Sequence, residues 1–361
     1  MKKLLVIIPL LFVLFGCPSL VDEIPPDPGT YSPPHLTDPD LTLSGSIEGE
    51  ESNPEIIHVV LNAIINPETG EPITDLTDDN LIVVEDSLVQ GFVLKKVGEE
   101  VTAKADIVFI IDATGSMGEE IEKVKESVLA FAGSLSEEGL DVKLGAVTFG
   151  DSVREYIDFT DDFSDTTGEF YTFISGIYAT GGGAWAENDL DPIYYAWKHF
   201  SWRDGAQRIF ILITDAPVDQ VDDDNYEYEH VCPFTIDMLL DTLRGEAVIH
   251  AVCPDKKVSP DGDTIYMGYD WDDDGAADFW DVIYGGAGHP KDLATGTGGR
   301  WMQLPGSGEV DLTELPIATT ITQSWVIDFE TSDPYGVHDV WIQIYIGEHK
   351  GEVIWRDVTY H

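Results

Sequence analysis

The segment Asp112-Ala113-Thr114-Gly115-Ser116-Met117 offers a carboxylate and two hydroxyls at i, i+2 and i+4. It follows an apolar run and precedes a helical stripe, so these three side chains leave a strand and enter a helix start together. All three can then point at one spot above a sheet. A further carboxylate, Asp215, closes a separate apolar run, Ile209-Phe210-Ile211-Leu212-Ile213-Thr214. Hard oxygen donors suit Mg²⁺, Mn²⁺ or Ca²⁺ and not Zn²⁺, which prefers nitrogen and sulfur. Asp112 alone could merely cap the helix that follows. With two hydroxyls and Asp215 beside it, a cation site is the expectation.

A second candidate lies at 270–281. Counting Asp270 as position 1, carboxylates fall at Asp270, Asp272, Asp274, Asp278 and Asp281, with Gly275 at position 6. That is the spacing of an EF-hand calcium loop, with Asp in place of the usual Glu at position 12 and the carbonyl of Ala276 at position 7. The residues before it, Thr264–Tyr269, read as strand, so the loop resembles those found outside paired EF-hands. Ca²⁺ is the expected ion. The run 219–229 is also acidic but lacks ligand spacing, and reads as a solvated loop.

The elements that must position these groups show in the hydrophobic pattern. Residues 106–111 form a continuous apolar run, as in a parallel strand buried on both faces. Ile121, Val124, Val128, Phe131 and Leu135 then make one helical stripe, with Glu119, Glu120, Lys123 and Lys125 off it. Further strands are expected at Leu144–Phe149, Arg208–Thr214 and Ala247–Val252, and helices near 187–200, 233–244 and 307–320. The alternation predicts a doubly wound α/β domain with a mostly parallel sheet. Ligands of such folds bind at the carboxyl ends of the strands. Strand-like segments flank it at 56–66, 81–85 and 91–94, and again at 324–330, 340–346 and 353–358. Neither set suffices alone, so the two are expected to pair into one small antiparallel β-sandwich with the α/β domain inserted. The expected division is 56–100 and 321–361 for the sandwich and 104–317 for the α/β domain, with the calcium loop in an insertion at about 255–290.

The strand-end residues resemble the metal-ion-dependent adhesion site of the von Willebrand factor type A family. The family's Asp-x-Ser/Thr-x-Ser motif is matched by Asp112, Thr114 and Ser116, and its late Asp by Thr214-Asp215. Its middle motif places a Thr near a glycine pair. Here that segment is Ala179-Thr180-Gly181-Gly182-Gly183-Ala184, which assigns Thr180, with Glu187 or a water as substitutes. Leu293–Trp301 is similar to the family's last helix-to-strand segment, and Gly70–Leu76 with Val84–Asp86 to the β unit preceding the domain in some secreted members. The resemblance implies a divalent cation with one open position that takes a carboxylate from a partner protein.

The chain begins as a secreted one does. Lys2 and Lys3 precede the apolar run Leu4–Phe15, too short to span a bilayer. Leu14-Phe15-Gly16-Cys17 resembles a bacterial lipobox, so residues 1–16 are read as a signal peptide and Cys17 as the lipidated residue. Residues 17–55 hold nine acids, six prolines before residue 35 and no Lys or Arg, and are read as an unpacked tether. Outside the cytoplasm disulfides persist. Cys232 and Cys253 are placed at one sheet edge, and a bridge between them is expected.

The net charge of −49 argues against nucleic acid and against docking on anionic lipid through a basic face, and favours cations. No His-Glu-x-x-His or Gly-x-Ser-x-Gly motif occurs, and the chain is not read as an enzyme. The expectation is a lipid-anchored adhesion or protein-binding protein of the bacterial cell envelope, working through Mg²⁺, Mn²⁺ or Ca²⁺. The alternative is a calcium-stabilised scaffold component of that envelope.

Overall fold

The computed structural model describes residues 24–50, 52–69, 71–97, 104–137, 140–163, 166–182, 186–221, 232–243, 245–254 and 288–360, together with the backbone of three short strands between 254 and 288. Residues 1–16, expected to be a signal peptide, Cys17, the expected calcium loop at 270–281 and most of the acidic run 219–229 lie outside the described residues.

In chain order, β1 (Gly45–Glu50), β2 (Asn53–Leu61), β3 (Leu81–Glu85), β4 (Leu88–Val89) and β5 (Phe92–Lys96) come first. The α/β part follows: β6 (Lys104–Asp112), α1 (Ile121–Glu137), β7 (Asp141–Phe149), β8 (Val153–Thr160), α2 (Glu169–Gly176), α3 (Leu190–His199), β9 (Gln207–Ile213), α4 (Ile236–Leu243) and β10 (Val248–Cys253). Next come β11 (Lys257–Val258), β12 (Ile265–Tyr266) and β13 (Val282–Ile283), which pair as a small antiparallel sheet. The domain closes with α5 (Pro290–Thr297), β14 (Trp301–Gln303) and α6 (Ile317–Thr322), and the chain with β15 (Trp325–Glu330), β16 (His338–Ile346) and β17 (His349–Val358). The helix expected near 307–320 is one 3-10 turn at Leu312–Glu314 followed by α6. Pro316, which cannot donate a backbone hydrogen bond, stands at the N-cap of α6 and divides them.

The central sheet has the order β14-β10-β9-β6-β7-β8, parallel except for the edge strand β8. Strand alternation gives it two apolar faces. Ile107, Phe109 and Ile111 pack with the α1 stripe Val124, Val128, Phe131 and Leu135 and with Phe170 and Ile174 of α2. Val108 and Ile110 pack with Leu190 and Ile193 of α3 and with Leu239 and Leu243 of α4. Each such side chain contributes about 1.5–3 kcal/mol relative to exposure, which explains the unbroken apolar run from Ile107 to Ile111 in β6. From β6 the chain proceeds to β7 and β8 on one side, then returns to β9, β10 and β14 on the other. The strand order therefore reverses between β6 and β9, where such sheets open a crevice.

The flanks form two sheets, β1-β2-β15-β5 and β17-β16-β3-β4. N- and C-terminal strands pair directly, Val59 with Ile327 and Val83 with Ile342. Their inward residues, among them Ile57, Leu61, Phe329, Ile344 and Trp355, make one core. The expected insertion of an α/β domain into a β-sandwich is thus the observed architecture.

The unpacked tether is corrected. Its described part lies on the sandwich: Leu41 and Leu43 are in the core, β1 begins at Gly45, and Pro34 accepts a hydrogen bond from Gln343 Nε2 at 2.9 Å. A Cβ on Gly45 would lie 2.1 Å from the Val60 carbonyl oxygen, so glycine is required for this pairing. Proline and acidic content conceal the short alternation that buries Leu41 and Leu43. Among the described residues no helix is long and apolar enough to cross a membrane.

Candidate metal centre

Asp112 ends β6 and is wholly buried. One of its carboxylate oxygens accepts the Thr114 backbone N–H at 2.8 Å, and the other accepts the Thr214 hydroxyl at 2.8 Å. Thr114 Oγ1 and Ser116 Oγ are 3.0 Å apart, and Ser116 Oγ donates to Asp215 Oδ1 at 3.0 Å. The crevice between β6 and β9 therefore brings Asp112, Thr114, Ser116 and Asp215 into one network. Thr214, to which the sequence reading gave no ligand role, positions Asp112.

A third wall comes from the loop after α2. The Thr180 backbone N–H donates to the Ala113 carbonyl at 2.9 Å, and the Gly115 N–H donates to the Gly181 carbonyl at 2.8 Å. Gly181 and Gly182 have φ of +70° and +84°, which side chains rarely tolerate. A Cβ on Gly182 would sit 3.0 Å from Glu187 Oε1 and 3.1 Å from Thr114 Cβ, so this glycine lets two walls close. Thr180 itself is exposed, and among the described residues its hydroxyl joins no hydrogen bond of the crevice. The buried group at this wall is Glu187, the substitute named from the sequence. Its N–H donates to the Pro217 carbonyl at 2.9 Å, and its carbonyl accepts the Asp219 N–H at 2.8 Å. These bonds pin it to the loop that follows Asp215.

Two further residues escaped the sequence reading. Arg154 of β8 donates through its guanidinium to the Ala113 carbonyl and supplies positive charge beside Asp112 and Glu187. Asp189 stands at the N-cap of α3, wholly buried, and among the described residues it makes no capping hydrogen bond and neither oxygen has a partner. The signal available was Glu187-Asn188-Asp189 directly before an apolar helical stripe.

The electrostatics follow from this company. Burial raises the Asp112 carboxyl above its ordinary range, against the Thr114 and Thr214 hydrogen bonds that lower it. Burial, then the charges of Asp112, Asp151 and Asp215, push Glu187 up to about 9. Asp189 and Asp215 are driven well above the usual carboxylate range, first by burial and then by Asp112. Buried carboxylates remain charged only when paired, and a divalent cation would supply the missing charge. Among the described residues no three His, Cys, Asp or Glu side chains gather closely enough to hold an ion by themselves. The hydroxyls of Thr114 and Ser116, together with water, would complete the coordination shell of such an ion. Such an all-oxygen set fits Mg²⁺, Mn²⁺ or Ca²⁺.

The expected disulfide is not formed: Cys232 and Cys253 are both buried thiols. The Cys232 thiol is turned to the Phe234 carbonyl at 3.6 Å and packs against α3 and α4, whereas Cys253 ends β10 within the sheet. A bridge needs the two Cβ atoms to face each other, which placement at one sheet edge does not ensure. Burial pushes the Cys232 thiol up to about 12, so it behaves as a small apolar side chain.

The von Willebrand factor type A domain family model matches residues 106–233. A search of curated proteins finds alpha-protein kinase vwkA of Dictyostelium discoideum, 29% identical over 201 residues, covering 52% of this chain and 32% of that protein. The chain thus spans about a third of that relative's length, and the kinase activity in its name is that protein's. Among solved structures, a von Willebrand factor type A protein from Catenulispora acidiphila is 11% identical with a TM-score of 0.40, covering 92% of this chain and 75% of that one. Proximal thread matrix protein 1 from the mussel byssus, solved with zinc in its MIDAS motif, is 14% identical with a TM-score of 0.38, covering 65% and 49%. The match over 106–233 falls on the sheet that carries Asp112, Thr114, Ser116 and Asp215, and this part of the chain is a von Willebrand factor type A domain.

Proposed function

We propose that the chain binds a partner protein through a divalent cation held by Asp112, Thr114, Ser116 and Asp215, with Glu187 in the middle position that Thr180 was expected to fill. The observation that carries this reading is the hydrogen-bonded network of those four side chains at the strand-order reversal, amid buried carboxylates that outnumber the positive charge of Arg154. Ser116 is exposed, so the crevice opens to solvent on the side where a ligand would approach. The ion's open position takes a carboxylate of the partner, an exchangeable bond that fails when the metal is chelated.

The setting of this site rests on the sequence. A lipid on Cys17 would hold the chain at the bacterial cell envelope, and the 270–281 loop would bind Ca²⁺. Titration calorimetry with Mn²⁺ tests the core of the reading. Asp112→Ala should abolish one class of ions, and unchanged binding would overturn the assignment. A Mn²⁺-dependent, chelator-reversible interaction with an Asp-containing peptide, lost when that Asp becomes Asn, tests the carboxylate bridge.

A further inference from the structure

Where the β-sandwich meets the α/β domain, the chain encloses a cavity of about 320 Å³, within the size range of small-molecule sites. Asn62, Ala63 and Ile65 line it from the sandwich, and Val248, His250 and Arg300 from the edge of the α/β sheet. Asn62 is 4% exposed and His250 2%, yet Asn62 Oδ1 and His250 Nε2 have no partner among the described residues. The bonds these two side chains do make fix what they offer. His250 Nδ1 accepts the Arg300 backbone N–H at 3.1 Å. Burial, then the Arg300 charge, push this imidazole down to about 4, so it is neutral and carries its one proton on Nε2. The Asn62 amide donates to Ser44 Oγ at 2.8 Å, which leaves its carbonyl oxygen as an acceptor. One cavity is thus bordered by a buried donor and a buried acceptor, both unspent. Buried polar groups without partners are rare, and a bound molecule is one reason to keep them.

We propose that this cavity binds an N-acetylated sugar, its acetamido carbonyl accepting from His250 Nε2–H and its acetamido N–H donating to Asn62 Oδ1. A secondary amide carries one acceptor and one donor on opposite edges, which is the pair that the cavity leaves unanswered. Neither side chain is ionised, so a neutral ligand matches them. Asp40, which also lines the cavity, is engaged with His349 Nδ1 at 2.6 Å. Ile65, Val248 and Pro316 supply apolar wall for the acetyl methyl. The rest of the lining favours a sugar over a peptide, which would bring the same amide. Thr42, Thr295 and Thr320 present hydroxyls. Those of Thr295 and Thr320 donate to the Lys291 and Pro316 carbonyls at 3.0 and 2.8 Å, so both keep lone pairs for ring hydroxyls.

The test titrates the full chain with N-acetylglucosamine, with glucose, which lacks the acetamido group, and with N-acetylalanine methylamide as a peptide probe. Saturation-transfer NMR should show the acetamido methyl of N-acetylglucosamine in contact with the protein. That sugar should bind about ten-fold or more tightly than either other probe, the scale of a hydrogen bond left unmade in a buried site. His250→Leu and Asn62→Ala should each weaken it by a similar factor. A readout that needs no variant keeps the outcome clear if either substitution fails to fold. The ¹⁵Nε2 resonance of His250, still neutral at about pH 5.5, should shift as the sugar is added. No transfer to the methyl, an equal response to glucose, or an unmoved His250 resonance would leave only water in the cavity and overturn the proposal. Tighter binding of the peptide probe would overturn the choice of a sugar.

Discussion

In the β-sandwich, Asp328 is 6% exposed and lies between His58 Nδ1 at 2.7 Å and Lys95 Nζ at 2.6 Å; in the crevice, Asp189 is fully buried and meets no donor among the described residues. The sandwich repeats its arrangement nearby. His338 Nδ1 is 2.7 Å from Asp86 Oδ2 and its ring stacks on Tyr360, whose hydroxyl donates to Glu85 at 2.6 Å. Even β6 is divided in this way. Its early acid, Asp106, is held by Arg203 Nε at 2.7 Å, whereas its last, Asp112, faces other acids. The consequence shows in the proton equilibria: the His58 and Lys95 bonds hold Asp328 below its ordinary range despite burial, while Glu187 and Asp215 are raised. Acids of the sandwich stabilise the fold without an ion. Acids of the crevice have no such bases to answer them, and a cation there would supply the counter-charge that His58 and Lys95 supply in the sandwich.

The contrast can be broken most sharply at Asp112. Asp112→Ala should weaken Mn²⁺ binding in the crevice by about a hundred-fold or more, since even outer-shell changes cost ten- to a hundred-fold; calorimetry reads it, and a change under three-fold would contradict the assignment. Asp328→Ala should cost about 2 kcal/mol of stability, the scale of hydrogen bonds to charged groups. That loss should be the same with metal or with chelator in a denaturant melt, because the triad needs no ion. A chelator-dependent loss would erase the distinction between the two regions.

Proton linkage sharpens the comparison further. In the metal-free chain Glu187 holds its proton up to about 9, so an arriving cation must displace it. Apparent Mn²⁺ affinity should therefore rise by about ten-fold per pH unit between pH 6 and 8, and titrations in buffers of different ionisation enthalpy should detect released protons. The sign for stability is opposite. A carboxyl raised in the folded state contributes stability fully below its unfolded value, and this is lost as pH rises through the folded one. The metal-free chain should thus lose stability from about pH 4.5 to 9, and saturating Mn²⁺ should flatten the loss. The smallest effect is expected at Asp215→Asn, which relieves like-charge repulsion while keeping an acceptor for Ser116. Metal-free stability should rise by about 1 kcal/mol, the size typical of a single substitution, whereas the metal-loaded chain should gain nothing.

Much of the scaffold was legible because its signals are local. The apolar run of β6, the Ile121–Leu135 stripe and the terminal strand patterns each report a buried face through spacing alone. Asp112, Thr114 and Ser116 were legible for the same reason, as one turn carries all three. Glu187 was reachable only as a substitute, and Asp189 not at all, because an acid at a helix start ordinarily reads as a cap. Leu41 and Leu43 were hidden by their acidic, proline-rich surroundings. Thr180 was placed by its nearness to glycines, yet the turn at Gly181 and Gly182 sends its backbone to Ala113 and leaves its side chain exposed.

By itself, the sequence determined an α/β domain inserted in a β-sandwich, with an oxygen-rich crevice at its strand ends and an excess of acid that favours cations. Those properties follow from composition and short-range periodicity, which no distant contact can alter. Only the tertiary structure decided which acids are answered by a base and which are not. That depends on β5 bringing Lys95 to Asp328, on the glycine turn admitting Glu187 beside Thr114, and on α3 burying Asp189 without a cap. Charge pairing is a matter of distance and solvent, and both are set when separate elements meet.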